Sequence, residues 1–286
     1  MNKVFIHTNN KQLFGAILAK YALEKNSINK NAFSIEFINV DELEVFKNFR
    51  GKEYLRDGRA VKYDSNDLQS FTLSRFMPPE LTNFQGRAIV IDPDIFNLSD
   101  INELFSLDMQ GRSIAACRKK GAWDTSVMLM DCVRLKHWRI DDILKKLENK
   151  ELDYSDLMTL NAEDQGTILE IPRIWNSLDE LKENTKMLHT TNRLTQPWKT
   201  GLKIDFTRKK LPKILGIFPR EPLLRLLGRY PMTYQPHPDK NIERFFFSLA
   251  REALKKGVIT EELVNNEISR KHLRPDFFRV LESLNA

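Results

Sequence analysis

Asp92 and Asp94 stand two residues apart directly after Arg87 to Ile91, whose Ala-Ile-Val-Ile run reads as a strand buried on both faces. In an extended segment side chains alternate faces, so the two carboxylates are expected to point the same way and Pro93 the other. Two hard oxygen donors on one face suit Mg²⁺ or Mn²⁺, with a substrate diphosphate completing the coordination. A buried strand would set them at the carboxyl edge of a sheet, where open α/β sheets bind ligands. The spacing alone is weak evidence. Nineteen aspartates in 286 residues produce about one Asp-x-Asp by chance, and a turn or helix cap uses aspartate as readily.

The surrounding elements supply the context. Lys3 to His7 reads as a short strand, Gln12 to Lys25 as a helix and Phe33 to Val40 as a second strand, an opening that calls for a parallel sheet with helices on its faces. Residues 46 to 70 are charged and aperiodic and are expected to form a long surface excursion near substrate. A helix is expected over Thr72 to Leu81, then the carboxylate-bearing strand, a short helix (INELF) capped by Asp100, strands over Ser113 to Cys117 and Ser126 to Asp131, a helix over Arg139 to Leu147 and a short extended run at Ile168 to Ile171. Beyond Trp198 the pattern turns helical. Ile242, Phe245, Phe246, Leu249, Ala253 and Leu254 form one stripe ended by Gly257, and Thr260 opens a further helix with Glu261 and Glu262 in its first turn.

Composition narrows the function classes. No stretch approaches the roughly 20 apolar residues of a membrane span. Cys117 and Cys132 cannot make a disulfide framework or a multi-cysteine metal site, and reducing cytoplasm is the expected location. The formal charge of +6 is concentrated: residues 199 to 230 hold nine Lys or Arg against Asp205 and Glu221. The remainder is about neutral, which argues against a nucleic-acid partner. The basic, partly apolar segment 208 to 230 could lie on an anionic membrane, but Pro212, Pro219 and Pro222 interrupt it and a solvated linker with scattered core contacts is the favoured reading.

The stretch Ala88 to Ala116 (AIVIDPDIFNLSDINELFSLDMQGRSIAA) resembles the signature of family 8 glycosyltransferases and their bacterial relatives: an apolar strand, Asp-x-Asp, an aspartate before a short helix with Leu-Phe, and a strand ending in small residues. Trp123 to Met130 is similar to the family's aromatic-Asn-Ser/Ala-Gly-Val-Met-Leu strand, with Asp124 in place of Asn and Ser126 in place of Gly. Asp164-Gln165 stands where the family has its Asp-Gln pair. Ile174-Trp175-Asn176 resembles the Arg-Trp-Asn that follows, and Met187 to Trp198 resembles the His-x-x-Gly-x-x-Lys-Pro-Trp block, with Gln196 for Lys and no Gly.

The resemblance implies an α/β fold of the GT-A type with a mostly parallel central sheet, a catalytic domain over 1–200 and a helical C-terminal extension over 201–286. It further implies metal ligation by Asp92, Asp94 and His189, a UDP-linked donor, Asp164 and Gln165 near the anomeric carbon and acceptor, Asp124 on the catalytic strand, and Arg75 over the donor. Thr8, Asn9 and Gln12 fall in the first loop, where the family usually has an acid at the nucleobase. Lys199 would reach the diphosphate in place of Gln196. Retention of configuration and a carbohydrate or lipid-linked acceptor follow from the same resemblance, with cell-envelope polysaccharide or lipopolysaccharide assembly as the setting, in the cytoplasm or at the inner membrane face. Two other classes share parts of the pattern. A haloacid-dehalogenase-like phosphatase also places Asp-x-Asp after a buried strand but needs Thr or Val where Phe96 stands, and a homologue that binds sugar nucleotide without turnover fits the departures at Asp124, Ser126 and Gln196.

Overall fold

The computed structural model describes residues 2–206, 220–227 and 229–283, and the chain divides into two compact units, Met1–His189 and Thr190–Ala286. The first unit opens with β1 (Asn2–Thr8), α1 (Leu13–Asn26) and β2 (Phe33–Asn39), as the alternation of apolar runs requires. There follow α2 (Glu44–Phe49), β3 (Glu53–Arg56), β4 (Arg59–Lys62), α3 (Pro78–Leu81), β5 (Arg87–Ile91), β6 (Ile95–Asn97) and α4 (Asn102–Phe105). The unit continues through β7 (Ile114–Lys119), β8 (Ala122–Asp131), α5 (Ile140–Glu148), α6 (Tyr154–Met158), β9 (Ile168–Glu170), β10 (Ser177–Leu178) and β11 (Met187–His189).

Six strands form the main sheet in the order β2-β1-β5-β8-β7-β9. β1 runs parallel to β2 and β5, and β9 parallel to β7, while β8 is antiparallel to both of its neighbours. Both faces are covered. Phe5, Val90 and Met128 belong to one buried cluster, and Val4, Ile6, Ile89 and Leu129, which alternate with them, are equally buried. Because β8 is antiparallel and longer than β5, its first residues, Ala122 to Ser126, lie at the edge where β5 ends: Ile91 pairs with Val127, and the Asp92 N–H donates to the Ser126 carbonyl. A second sheet, β10-β11-β6, brings the end of the unit back to the segment just after Asp94, with His189 paired to Ile95.

Three local expectations need correction. Residues 46 to 70 run along the surface but are not an irregular excursion: Phe46, Phe49, Tyr54, Tyr63 and Leu68 are buried, and β3 and β4 form a hairpin through Asp57-Gly58, both at positive φ (52° and 70°). Two left-handed central residues match the twist of paired strands, and Asp-Gly tolerates them. The helix over Thr72 to Leu81 divides into a 3₁₀ segment, Ser70–Phe76, and α3, which starts at Pro78, where a missing N–H costs nothing. Asp92-Pro93-Asp94 is not extended either. The Ile95 N–H donates to the Asp92 carbonyl, closing a β-turn in which Pro93 holds the second position.

The second unit contains α7 (Arg220–Leu226), α8 (Lys240–Lys255), α9 (Glu261–Ser269) and α10 (Phe277–Ser283). Asp239 caps α8 and Thr260 caps α9, each side chain accepting a backbone N–H of the first turn. Trp198 stacks on Phe246 with centroids 4.7 Å apart, and Phe247 packs on Phe277. Residues 207–219 and 228 of the basic segment lie outside the described residues.

Candidate metal centre

The turn that follows β5 and the end of β11 place one oxygen each from Asp92 and Asp94 and one nitrogen from His189 within 4.8 Å of one another, all three residues being buried. Two ligands of a single Mg²⁺ or Mn²⁺ at about 2.1 Å each can stand at most about 4.2 Å apart, so small side-chain rotations suffice to close the set. His189 is prepared for ligation. Its Nδ1 lies 2.8 Å from Asn176 Oδ1 and donates to it, which leaves the Nε2 lone pair pointing inward, 3.5 Å from Asp94 Oδ1. Asn176 immediately precedes β10, whose Leu178 pairs with His189, so the small sheet fixes both partners. Carboxylate oxygens with one neutral imidazole suit Mn²⁺ and accommodate Mg²⁺.

Asp92 is held from its other side. Arg75, in the buried 3₁₀ segment, donates through Nη2 to both carboxylate oxygens (2.7 and 2.5 Å) and through Nε to Oδ1 (3.1 Å). Its Nη1 donates to Thr125 Oγ1 at 2.8 Å. His7, the last residue but one of β1, places Nε2 2.6 Å from Asp92 Oδ1. Burial alone would raise the Asp92 pKa, but the Arg75 charge and the His7 hydrogen bond outweigh it and hold the carboxyl far below the usual range. Burial also dominates at His7, whose pKa falls below the ordinary imidazole value despite Asp92. Arg75 is thus buried with its guanidinium paired to Asp92.

Asp124, on the projecting start of β8, accepts from the Ser126 N–H and hydroxyl (3.1 and 2.6 Å) and lies 3.5 Å from Arg173. Burial would push its carboxyl up; His189, the Ser126 hydrogen bonds and Arg75 bring it below the ordinary value. Gln165 is tied down, with Oε1 accepting from Trp123 Nε1 at 2.7 Å and Nε2 donating to the Leu160 and Glu163 carbonyls. The exposed Asp164 caps the following 3₁₀ turn through the Gly166 N–H. Thr8, Asn9 and Gln12 are buried at the end of β1. Asn9 Nδ2 donates to Ser70 Oγ and to the Leu68 carbonyl, and its Oδ1 accepts from the Gln12 N–H, so it anchors the loop before the Arg75 segment. Lys199 belongs to the second unit, fully buried 3.4 Å from Asp205, whose other oxygen accepts from Tyr234. His7 went unread in the sequence. Ile6 pairs with Ile91, so in parallel strands His7 and Asp92 fall side by side; once β1 and β5 are taken as neighbours, that register was the available signal.

Comparison with known proteins addresses the family and the fold. The profile of glycosyl transferase family 8 matches residues 1–197. The glycosyltransferase GlyE of Streptococcus pneumoniae TIGR4 superposes with a TM-score of 0.50 at 14% identity, over 84% of this chain and 66% of its own. The bifunctional glycosyltransferase WbbM, in its apo structure, gives a TM-score of 0.50 at 12% identity, over 69% of this chain and 47% of its own. Galactosyltransferase LgtC, in complex with donor and acceptor sugar analogues, gives 0.46 at 12% identity, over 69% and 89%. At such identities the likeness speaks to the fold, which is of the GT-A type. A search of curated proteins finds no match.

Proposed function

The chain belongs to glycosyl transferase family 8, and from that premise we propose that it moves a sugar from a UDP-linked donor, held by Mn²⁺ or Mg²⁺ at Asp92, Asp94 and His189, to a carbohydrate or lipid-linked acceptor with retention of configuration. Family membership sets aside the phosphatase reading. The observation that carries the proposal is the inward Nε2 of His189, oriented by Asn176 toward two carboxylates. A divalent ion bound there would offset the charge that builds on the departing diphosphate.

The remaining work falls to the protein's own side chains. Arg75 and His7 keep Asp92 ionised in a buried place. Asp124, ionised by its surroundings, is suited to hold a donor hydroxyl. Gln165 Oε1 keeps a second lone pair beyond the Trp123 bond and can face positive charge at the anomeric carbon, while Asp164 holds the acceptor hydroxyl. Thr8, Asn9 and Gln12 shape the nucleoside end.

Thermal unfolding tests the donor site. Because Arg75 already offsets the Asp92 charge, Mn²⁺ and UDP are expected to raise the melting temperature together far more than either alone. At about 100 times the dissociation constant the gain is roughly 2.7 kcal/mol, several degrees in a chain of this size. No shift with any nucleotide and metal would remove the proposal.

A lipid-linked acceptor would bring the protein to a membrane. Among the described residues no helix is long and apolar enough to cross one, but α7 and the residue after it expose Leu226 (85%) and Leu227 (56%) beside exposed Arg220 and Arg225. Apolar and basic side chains together favour anionic lipid surfaces. Co-sedimentation with vesicles containing an anionic lipid is expected to exceed that with neutral vesicles and to fall for Leu226→Glu with Leu227→Glu; equal sedimentation in all cases would exclude the contact.

A further inference from the structure

The parallel pairing of β1 with β5 sets His7 abreast of Asp92 at the carboxyl edge of the sheet. The imidazole has little freedom there. It is fully buried, its Nδ1 lies 3.1 Å from the Phe71 carbonyl, and its ring meets the Phe71 ring edge-on with centroids 4.8 Å apart. Its Nε2 is 2.6 Å from Asp92 Oδ1, a hydrogen bond in which the carboxylate oxygen accepts from the Nε2–H tautomer. The two oxygens of Asp92 are then used unequally. Oδ1 takes three N–H donors, from His7 Nε2, Arg75 Nη2 and Arg75 Nε, whereas Oδ2 takes one, from Arg75 Nη2. An ionised carboxylate offers about two acceptor positions on each oxygen, so Oδ1 is saturated and Oδ2 keeps room for a cation.

Arg75 alone would not secure this arrangement. Its Nη2 bridges both carboxylate oxygens, so a metal ion approaching Oδ2 meets the positive charge of the same guanidinium that holds Oδ1. The carboxylate needs an anchor on Oδ1 that does not compete for Oδ2, and His7 stands on that side. We propose that His7 is a positioning residue for the metal centre, holding Asp92 through Oδ1 so that Oδ2 is presented to the ion. This rests on the metal-dependent donor reading above.

The test compares variants of similar size that differ in one N–H. Glutamine at position 7 extends an amide nitrogen along the path of His Nε2, and leucine fills the space with no donor. Mn²⁺ affinity in saturating UDP is measured by titration followed by electron paramagnetic resonance on wild type, His7→Gln and His7→Leu, with the melting temperature of each metal-free protein recorded beside it. His7→Leu is expected to lose about 10- to 100-fold in Mn²⁺ affinity, the range seen when a partner that orients a ligand is removed, and His7→Gln to recover most of it. Equal affinity in all three proteins, or an equal loss in both variants, would overturn the role of His7. A wild type that takes up no Mn²⁺ with UDP would instead overturn the metal reading, and the role of His7 with it.

Discussion

Asp94→Ala is expected to lower sugar transfer by about a thousandfold and to make what remains insensitive to EDTA. Electrostatic help from a divalent ion to a leaving diphosphate amounts to several kcal/mol, and about 4 kcal/mol corresponds to three powers of ten in rate. Asp94 is the residue to choose because it lies within the turn rather than in the sheet, and the buried pairing of Asp92 with Arg75 does not pass through it. The measurement is initial rate with a UDP-sugar panel, with and without Mn²⁺ and EDTA, on protein whose circular dichroism matches wild type. Activity in the variant that still responds to metal would show that the ion sits elsewhere.

The second large effect concerns stability. Arg75→Ala leaves the Asp92 carboxylate buried with the His7 bond alone, and breaking a buried pair from one side costs about 3–5 kcal/mol. At roughly 2–4 °C per kcal/mol the melting temperature should fall by about 10 °C. Acid gives the discriminating result. In wild type the Asp92 pKa is depressed in the folded state, so its contribution is complete above the unfolded carboxyl value near 4 and is lost as pH falls through the folded value. Without Arg75, burial raises that pKa, and protonation relieves the buried charge. The stability gap between wild type and variant should therefore narrow as pH drops from 7 toward 3. A gap independent of pH would mean that the pair contributes through packing and not through charge.

These contrasts depend on features of unequal visibility in the chain. The strand before Asp92, the β-α-β opening and the helices α5, α8 and α9 were readable because apolar spacing and caps are local signals, and His189 entered only through its likeness to a family motif. The stretch from 46 to 70 misled because charged residues dilute the aromatic ones; Asp57-Gly58 was the overlooked hairpin sign, and Phe49, Tyr54 and Tyr63 pack together through rings that follow no regular period. Arg75 entered through the resemblance as a donor contact, because nothing nearby in sequence shows that Asp92 would be its partner. The contact of His7 with Asp92 belongs to the sheet order, and the register that makes it is set between strands more than eighty residues apart.

The small sheet that returns His189 to Ile95 also bears on how the protein comes to be active. Closing a loop of that span costs chain entropy that grows with the logarithm of its length, and contacts distant in sequence are the slow ones to form. A chain still emerging from the ribosome can assemble β1, β5 and the pair of Asp92 with Arg75 well before β11 exists. Until β11 docks, the proposed ion site would lack its nitrogen ligand, so high-affinity metal uptake would mark the completion of the first unit, and a chain stalled before β11 would remain silent.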